Sequence, residues 1–138
     1  MSADMTRGLL DTNILVFMSR LDPAVLPDDS SISAVTLAEL TAGVHGATDE
    51  VELAERIDVL QRTERDFTPL PFDAEAARLY GRLSAAMLAY GRKPRRRIAD
   101  LMIAATASAN GLPLYTIKPD DFAGLDKLVD VRAIRRPD

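Results

Sequence analysis

Four acidic residues stand where apolar segments of the chain meet polar ones. Asp11 follows Gly8-Leu9-Leu10, and Glu39 lies in Val35-Thr36-Leu37-Ala38-Glu39-Leu40. Asp100 precedes Leu101-Met102-Ile103-Ala104-Ala105, and Asp121 lies in Thr116-Ile117-Lys118-Pro119-Asp120-Asp121-Phe122. Carboxylates gathered on one surface repel one another, and each is costly to desolvate, so such a group stays ionised mainly around a hard divalent cation. Mg2+ and Mn2+ suit oxygen ligands of this kind. The chemistry expected of the group is metal-assisted hydrolysis of a phosphodiester, with no side-chain nucleophile required.

Each acid also has a purely local reading. Asp11-Thr12-Asn13 forms an Asx turn in one reading, with Thr12 as the cap of the next helix. Thr36-Leu37-Ala38-Glu39 has the spacing of a capping box in which Glu39 serves Thr36. Asp100 suits the first turn of a helix, and Asp120-Asp121 suits a solvated turn.

Positioning four acids requires a framework, and the pattern supplies one. Short apolar segments at Thr6–Leu10, Ser31–Ala34, Phe67–Phe72, Leu112–Thr116 and Leu128–Arg132 are read as strands, the third weakened by Pro69 and Pro71. Helices are expected at Asn13–Arg20, from the Thr36 capping box to Val44, at Glu50–Glu64, from Asp73 to Gly91, from Ile98 to Asn110-Gly111, and at Pro119–Leu125. The helix after Asp73 carries the apolar line Ala76, Tyr80, Leu83, Met87 and Tyr90, and the one after Asp49 carries Leu53, Ile57 and Leu60. Strands alternating with helices predict a three-layer α/β/α domain with a central, mostly parallel sheet, spanning residues 1–138 as one unit. Ligands of such sheets bind beyond the carboxyl ends of the strands. Asp11 and Asp121 are expected on that rim, with Glu39 and Asp100 near helix N-termini.

Composition narrows the chemistry further. With no cysteine and a single histidine, His45, the chain has no disulfide, no zinc-thiolate or iron-sulfur site and no multi-histidine metal site. His45 itself reads as a residue closing a helix. The longest uncharged run, Leu101–Ile117, is interrupted by Asn110, Gly111 and Pro113 and is too short to span a bilayer. Asp11 interrupts the apolar stretch at the N-terminus, so no secretory signal is expected and a cytoplasmic protein is. A net charge of −4 argues against general nucleic-acid binding. Arg92, Lys93, Arg95, Arg96 and Arg97 nevertheless concentrate positive charge just before Asp100. A basic patch beside an acidic metal site is what a phosphate-bearing polymer requires; the alternative is a solvated loop between helices.

These segments together resemble the PIN-domain ribonucleases, and specifically the VapC toxins of bacterial toxin-antitoxin pairs. The resemblance is carried by Gly8-Leu9-Leu10-Asp11-Thr12-Asn13-Ile14-Leu15, Ser33-x-Val35-Thr36-Leu37-Ala38-Glu39-Leu40, Ile98-Ala99-Asp100-Leu101-Met102-Ile103-Ala104-Ala105-Thr106-Ala107 and Tyr115-Thr116-x-x-x-Asp120-Asp121-Phe122. It runs over nearly the whole chain, and it implies Asp11, Glu39, Asp100 and Asp121 as catalytic metal ligands for Mg2+ or Mn2+. Thr12, Asn13 and Thr116 match the polar residues that support those ligands. Lys118 stands where the family motif usually has asparagine; its ammonium could pair with Asp121 or Asp11, weaken binding of a second cation or help hold a phosphate, and lowered affinity at the weaker metal position is expected.

The resemblance further implies an endoribonuclease that inhibits translation by cutting structured RNA such as tRNA or ribosomal RNA. It also implies a homodimer and a small antitoxin partner that blocks the active sites. Two other readings stand beside it. One is a catalytically weak module of the same fold that binds RNA or a partner. The other is a phosphorylation-controlled receiver domain, suited by Thr116-Ile117-Lys118-Pro119 but lacking an acidic pair after strand one and an aspartate ending Phe67–Phe72.

Overall fold

The computed structural model describes residues 5–138. Four short strands form one sheet: β1 (Arg7–Leu10), β2 (Asp29–Ser31), β3 (Leu114–Thr116) and β4 (Val131–Ala133), ordered β2-β1-β3-β4 and all parallel. Five α-helices cover it: α1 (Thr12–Phe17), α2 (Ala34–His45), α3 (Glu50–Asp66), α4 (Ala74–Tyr90) and α5 (Ile98–Ala109). Among the described residues no helix is long and apolar enough to cross a membrane.

The two-residue period of a strand explains the three layers. Leu9 and Leu114 point to one face and join Leu83, Met87, Leu101, Ile103 and Phe122 in a core under α4 and α5. Leu10 and Tyr115, one residue on in each strand, point to the other face and pack with Ile14, Leu15, Ile32 and Leu40 beneath α1 and α2. Gly8 is required in β1 because the Tyr115 ring lies over it, and a β-carbon there would overlap the ring.

α4 follows its expected course: Asp73 accepts a hydrogen bond from the Ala76 amide at 3.0 Å, and Gly91 ends the helix at φ 96°. The last residue of its expected stripe, Tyr90, stays outside the core. α5 is buried over more of its circumference than its stripe suggests, with Leu101 and Ile103 to Ala107 all buried, because small alanines let it lie close between the sheet and α4.

Three local expectations are corrected. Phe67–Phe72 contributes no strand: only Leu70 pairs, its amide donating to Ile32 O at 2.9 Å and its carbonyl accepting from Ala34 N at 2.8 Å. Pro69 and Pro71 lack the N–H groups that would continue the ladder. α2 starts at Ala34, capped by the Ser33 hydroxyl, which accepts from Val35 N at 2.9 Å, and not at Thr36. The last strand runs Val131–Ala133, while Leu128 and Val129 pack into the core from the loop before it.

Candidate active site

The register of β1 against β3 builds the centre of the site. Leu10 lies opposite Tyr115, so Asp11 leaves β1 at the carboxyl rim beside Thr116, the last residue of β3. The Asp11 amide donates to Tyr115 O at 2.9 Å, and Ile134 N after β4 donates to Thr116 O at 2.8 Å. Asp11, only 4% exposed, caps α1 through Oδ1, which accepts from Thr12 N at 2.8 Å. Its Oδ2 accepts from the Thr116 hydroxyl at 2.8 Å and from Asn13 Nδ2 at 3.4 Å. Asn13 also bridges onward, accepting from Ile117 N at 3.2 Å, and Lys118 N donates to Thr116 Oγ1 at 3.0 Å. Asp11, rather than Thr12, is therefore the cap of α1, and it keeps its orientation through bonds from three residues.

Thr12 instead faces α2. Its hydroxyl donates to Glu39 Oε1 at 2.6 Å and lies 3.0 Å from the buried Thr36 hydroxyl. Because α2 begins at Ala34, Glu39 is inside the helix, one turn beyond Thr36, and is free of any capping duty. Thr36 is thus a member of the site that its capping-box spacing disguises. A threonine three residues before an acid, within an apolar helix, is the signal that points to it.

Asp100 does lie in the first turn of α5, and Asp121 lies in a short 3-10 turn, Pro119–Phe122, anchored by buried Phe122. Burial holds Asp100 above the usual carboxylate range, and Asp11, Asp121 and Glu39 add repulsion against a smaller opposing effect of Arg97, pushing it up to about 6. Asp11 is also raised, chiefly by burial, with Glu39 and Asp121 adding to it while bonds from Thr116 and Thr12 pull it back. Asp11 and Asp100 are thus within electrostatic reach of each other, and each is within reach of Glu39 and Asp121.

Lys118 does not pair with Asp121 or Asp11: its side chain is exposed and makes no ion pair among the described residues. Arg97 meets the acids instead, with Nη1 2.7 Å from Asp121 Oδ1 and 3.7 Å from Asp100 Oδ2. Arginine on the N-terminal boundary of α5, three residues before Asp100, reaches over the first turn; lysine on the loop points to water. Arg97, the last arginine of the basic patch, is thus paired with the acids in this structure. Arg92 donates to Asp120 O and lies 5.7 Å from the Tyr90 ring centre, while Lys93, Arg95 and Arg96 are exposed. His45 is exposed in the last turn of α2, as expected of a residue closing a helix.

The donor set suits a hard cation, since it is oxygen-rich, mutually repelling and only partly offset by Arg97. Among the described residues, however, no three acidic or histidine side chains form a ready-made cage.

The model of the PIN domain matches residues 8–128. Ribonuclease VapC5 of Mycobacterium tuberculosis is 40% identical over 138 residues, covering 98% of this chain and 99% of the relative. Ribonuclease VapC4 of the same organism is 32% identical over 125 residues, covering 88% and 93%. Among solved structures, a member of the VapBC family of toxin-antitoxin systems, VapBC-5 from Mycobacterium tuberculosis, superposes with a TM-score of 0.79 at 40% identity, covering 95% of this chain and 99% of that one. FitAcB from Neisseria gonorrhoeae gives a TM-score of 0.68 at 29% identity, covering 89% and 94%. With its parallel sheet flanked by helices and these relatives along its length, the chain belongs to the PIN-domain family, among the VapC ribonucleases.

Proposed function

We propose that this protein is a metal-dependent endoribonuclease and the toxin of a toxin-antitoxin pair, which inhibits translation by cutting structured RNA such as tRNA or ribosomal RNA. The observation that carries the reading is that Asp11 and Asp100, from separate segments, lie within electrostatic reach of each other and of Glu39 and Asp121, with burial first and their repulsion second holding Asp100 above the usual carboxylate range. Asp11 and Asp100, with Glu39 and Asp121, hold Mg2+ or Mn2+. When bound, the ion supplies Lewis acidity toward the scissile phosphate and an activated water.

The chain's own residues do the positioning. Thr116 and Asn13 fix the Asp11 carboxylate, and Thr12 fixes Glu39. Lys93, Arg95 and Arg96, exposed on the loop that leads into α5, hold the RNA backbone. Attack by water leaves a 5′-phosphate and a 3′-hydroxyl. Sequencing RNA ends after induced expression tests this, and cyclic phosphate ends would overturn it.

The antitoxin reading draws on the structural relative from the VapBC family of toxin-antitoxin systems and on a groove floored by Leu40 and Val59 that opens beside Thr12 and Glu39. A homodimer is supported by apolar residues left exposed along α4 and α5, namely Leu88, Tyr90 and Ile98. The Leu53-Ile57-Leu60 stripe is a weaker interface, because Leu60 packs into the core.

The carboxylates' lack of a ready-made cage favours a second reading, a binding module with a weak metal site. Asp100→Asn separates the two. Loss of RNA cleavage in a folded variant supports the enzyme, and unchanged biological activity supports binding alone.

A further inference from the structure

We infer that Arg97 is a built-in counter-ion standing in the position of a second cation between Asp121 and Asp100, so that the site takes a single divalent ion. The inference rests on the metal-binding reading above and addresses how many ions that site holds.

Arg97 is held on both sides by the backbone. Its amide donates to Pro94 O at 2.8 Å, closing the 3-10 turn Pro94–Arg96, and its carbonyl accepts from Leu101 N at 2.9 Å, opening α5. From that anchor the guanidinium reaches Asp121 Oδ1 at 2.7 Å and approaches Asp100 Oδ2 at 3.7 Å, bridging acids from two separate segments. An octahedral ion bound to those same oxygens needs them at roughly 2.0–2.1 Å and meets the N–H groups already there. Arginine keeps its charge at every working pH, so the stand-in does not depend on titration.

The charges balance in the same sense. Four carboxylates face one guanidinium, and Asp11 and Glu39 contact no cation among the described residues. One divalent ion held there, with the Asp100 oxygen that Arg97 does not approach, would leave the cluster with a small net negative charge. The Arg97 side chain is 36% exposed, so it can leave Asp121, and occupancy of its position is decided by competition.

The competition is measurable without any assay of cleavage. Mn2+ binding to the metal-stripped protein is followed by electron paramagnetic resonance and calorimetry for the wild type, Arg97→Gln, Arg97→Lys and Arg96→Gln, with circular dichroism to verify folding. The expected result is one ion for the wild type, Arg97→Lys and Arg96→Gln. Arg97→Gln is expected to take a second ion and to hold the first about tenfold more tightly, once the neighbouring positive charge is gone. Equal stoichiometry and affinity in wild type and Arg97→Gln, or two ions in the wild type, overturns the assignment. Absence of Mn2+ binding in every protein overturns the metal-site reading and the Arg97 role together.

Discussion

Replacing Asp100 by asparagine removes a charge that the fold holds against its preference, so the variant is expected to be more stable than the wild type while losing cleavage. In the folded protein Asp100 is pushed up to about 6 from an ordinary 3.8, and its side chain is 26% exposed. The folded state therefore binds this proton more tightly than the unfolded state does. Stability falls as pH rises from about 4 through about 6, and the full cost is present at neutral pH. At about 1.36 kcal/mol for each tenfold change in proton affinity, that rise sets a ceiling of about 3 kcal/mol, which partial solvent access reduces to about 1–2 kcal/mol. For a chain of this size that corresponds to roughly 3–8 °C in Tm. The assay is thermal unfolding in EDTA at pH 4 and pH 7.5. Asp100→Asn should melt higher at pH 7.5 and level with the wild type at pH 4. Adding Mg2+ should then raise the wild type more than the variant, because the ion binds only the folded acids. A variant no more stable at pH 7.5, or equally stabilised at both pH values, would refute the claim that repulsion and burial strain Asp100.

Further consequences concern the supports of the site. Thr116→Val deletes the fully buried hydroxyl that donates to Asp11 and should cost about 1–3 kcal/mol in urea unfolding. It should also raise the Asp11 pKa further, because that bond opposes the effect of burial; carboxyl NMR titration reads it out. Neutralising Lys93, Arg95 and Arg96 together should weaken RNA binding and reduce its salt slope by about 2 on a log-log plot, with Mn2+ binding unchanged. Leu101→Ala opens a cavity where α5 meets the sheet and should cost about 2–5 kcal/mol, measured by urea denaturation.

Much of the scaffold is legible in the order of residues alone. α4 can be read from Asp73 to Gly91 because a side-chain cap, an apolar period and a left-handed glycine are all encoded within one segment. Asp11 can be placed on the rim because it directly follows an apolar strand. Phe67–Phe72 imitates a strand because its side chains suit a sheet, while its two prolines remove the backbone donors a ladder needs. Thr36 imitates a cap because its spacing to Glu39 is right, yet Ser33, three residues earlier, offers an equally good hydroxyl and takes the role.

The sequence by itself determined which acids could meet, the order of elements that carries them and the basic loop ahead of Asp100. Those are properties of short windows, where periodicity and capping act through neighbouring residues. Only the tertiary structure decided that Thr12 serves Glu39, that Lys118 faces water and that Arg97 closes on Asp121. Such pairings join side chains from different elements, and their partners are chosen by strand register and helix packing rather than by spacing along the chain.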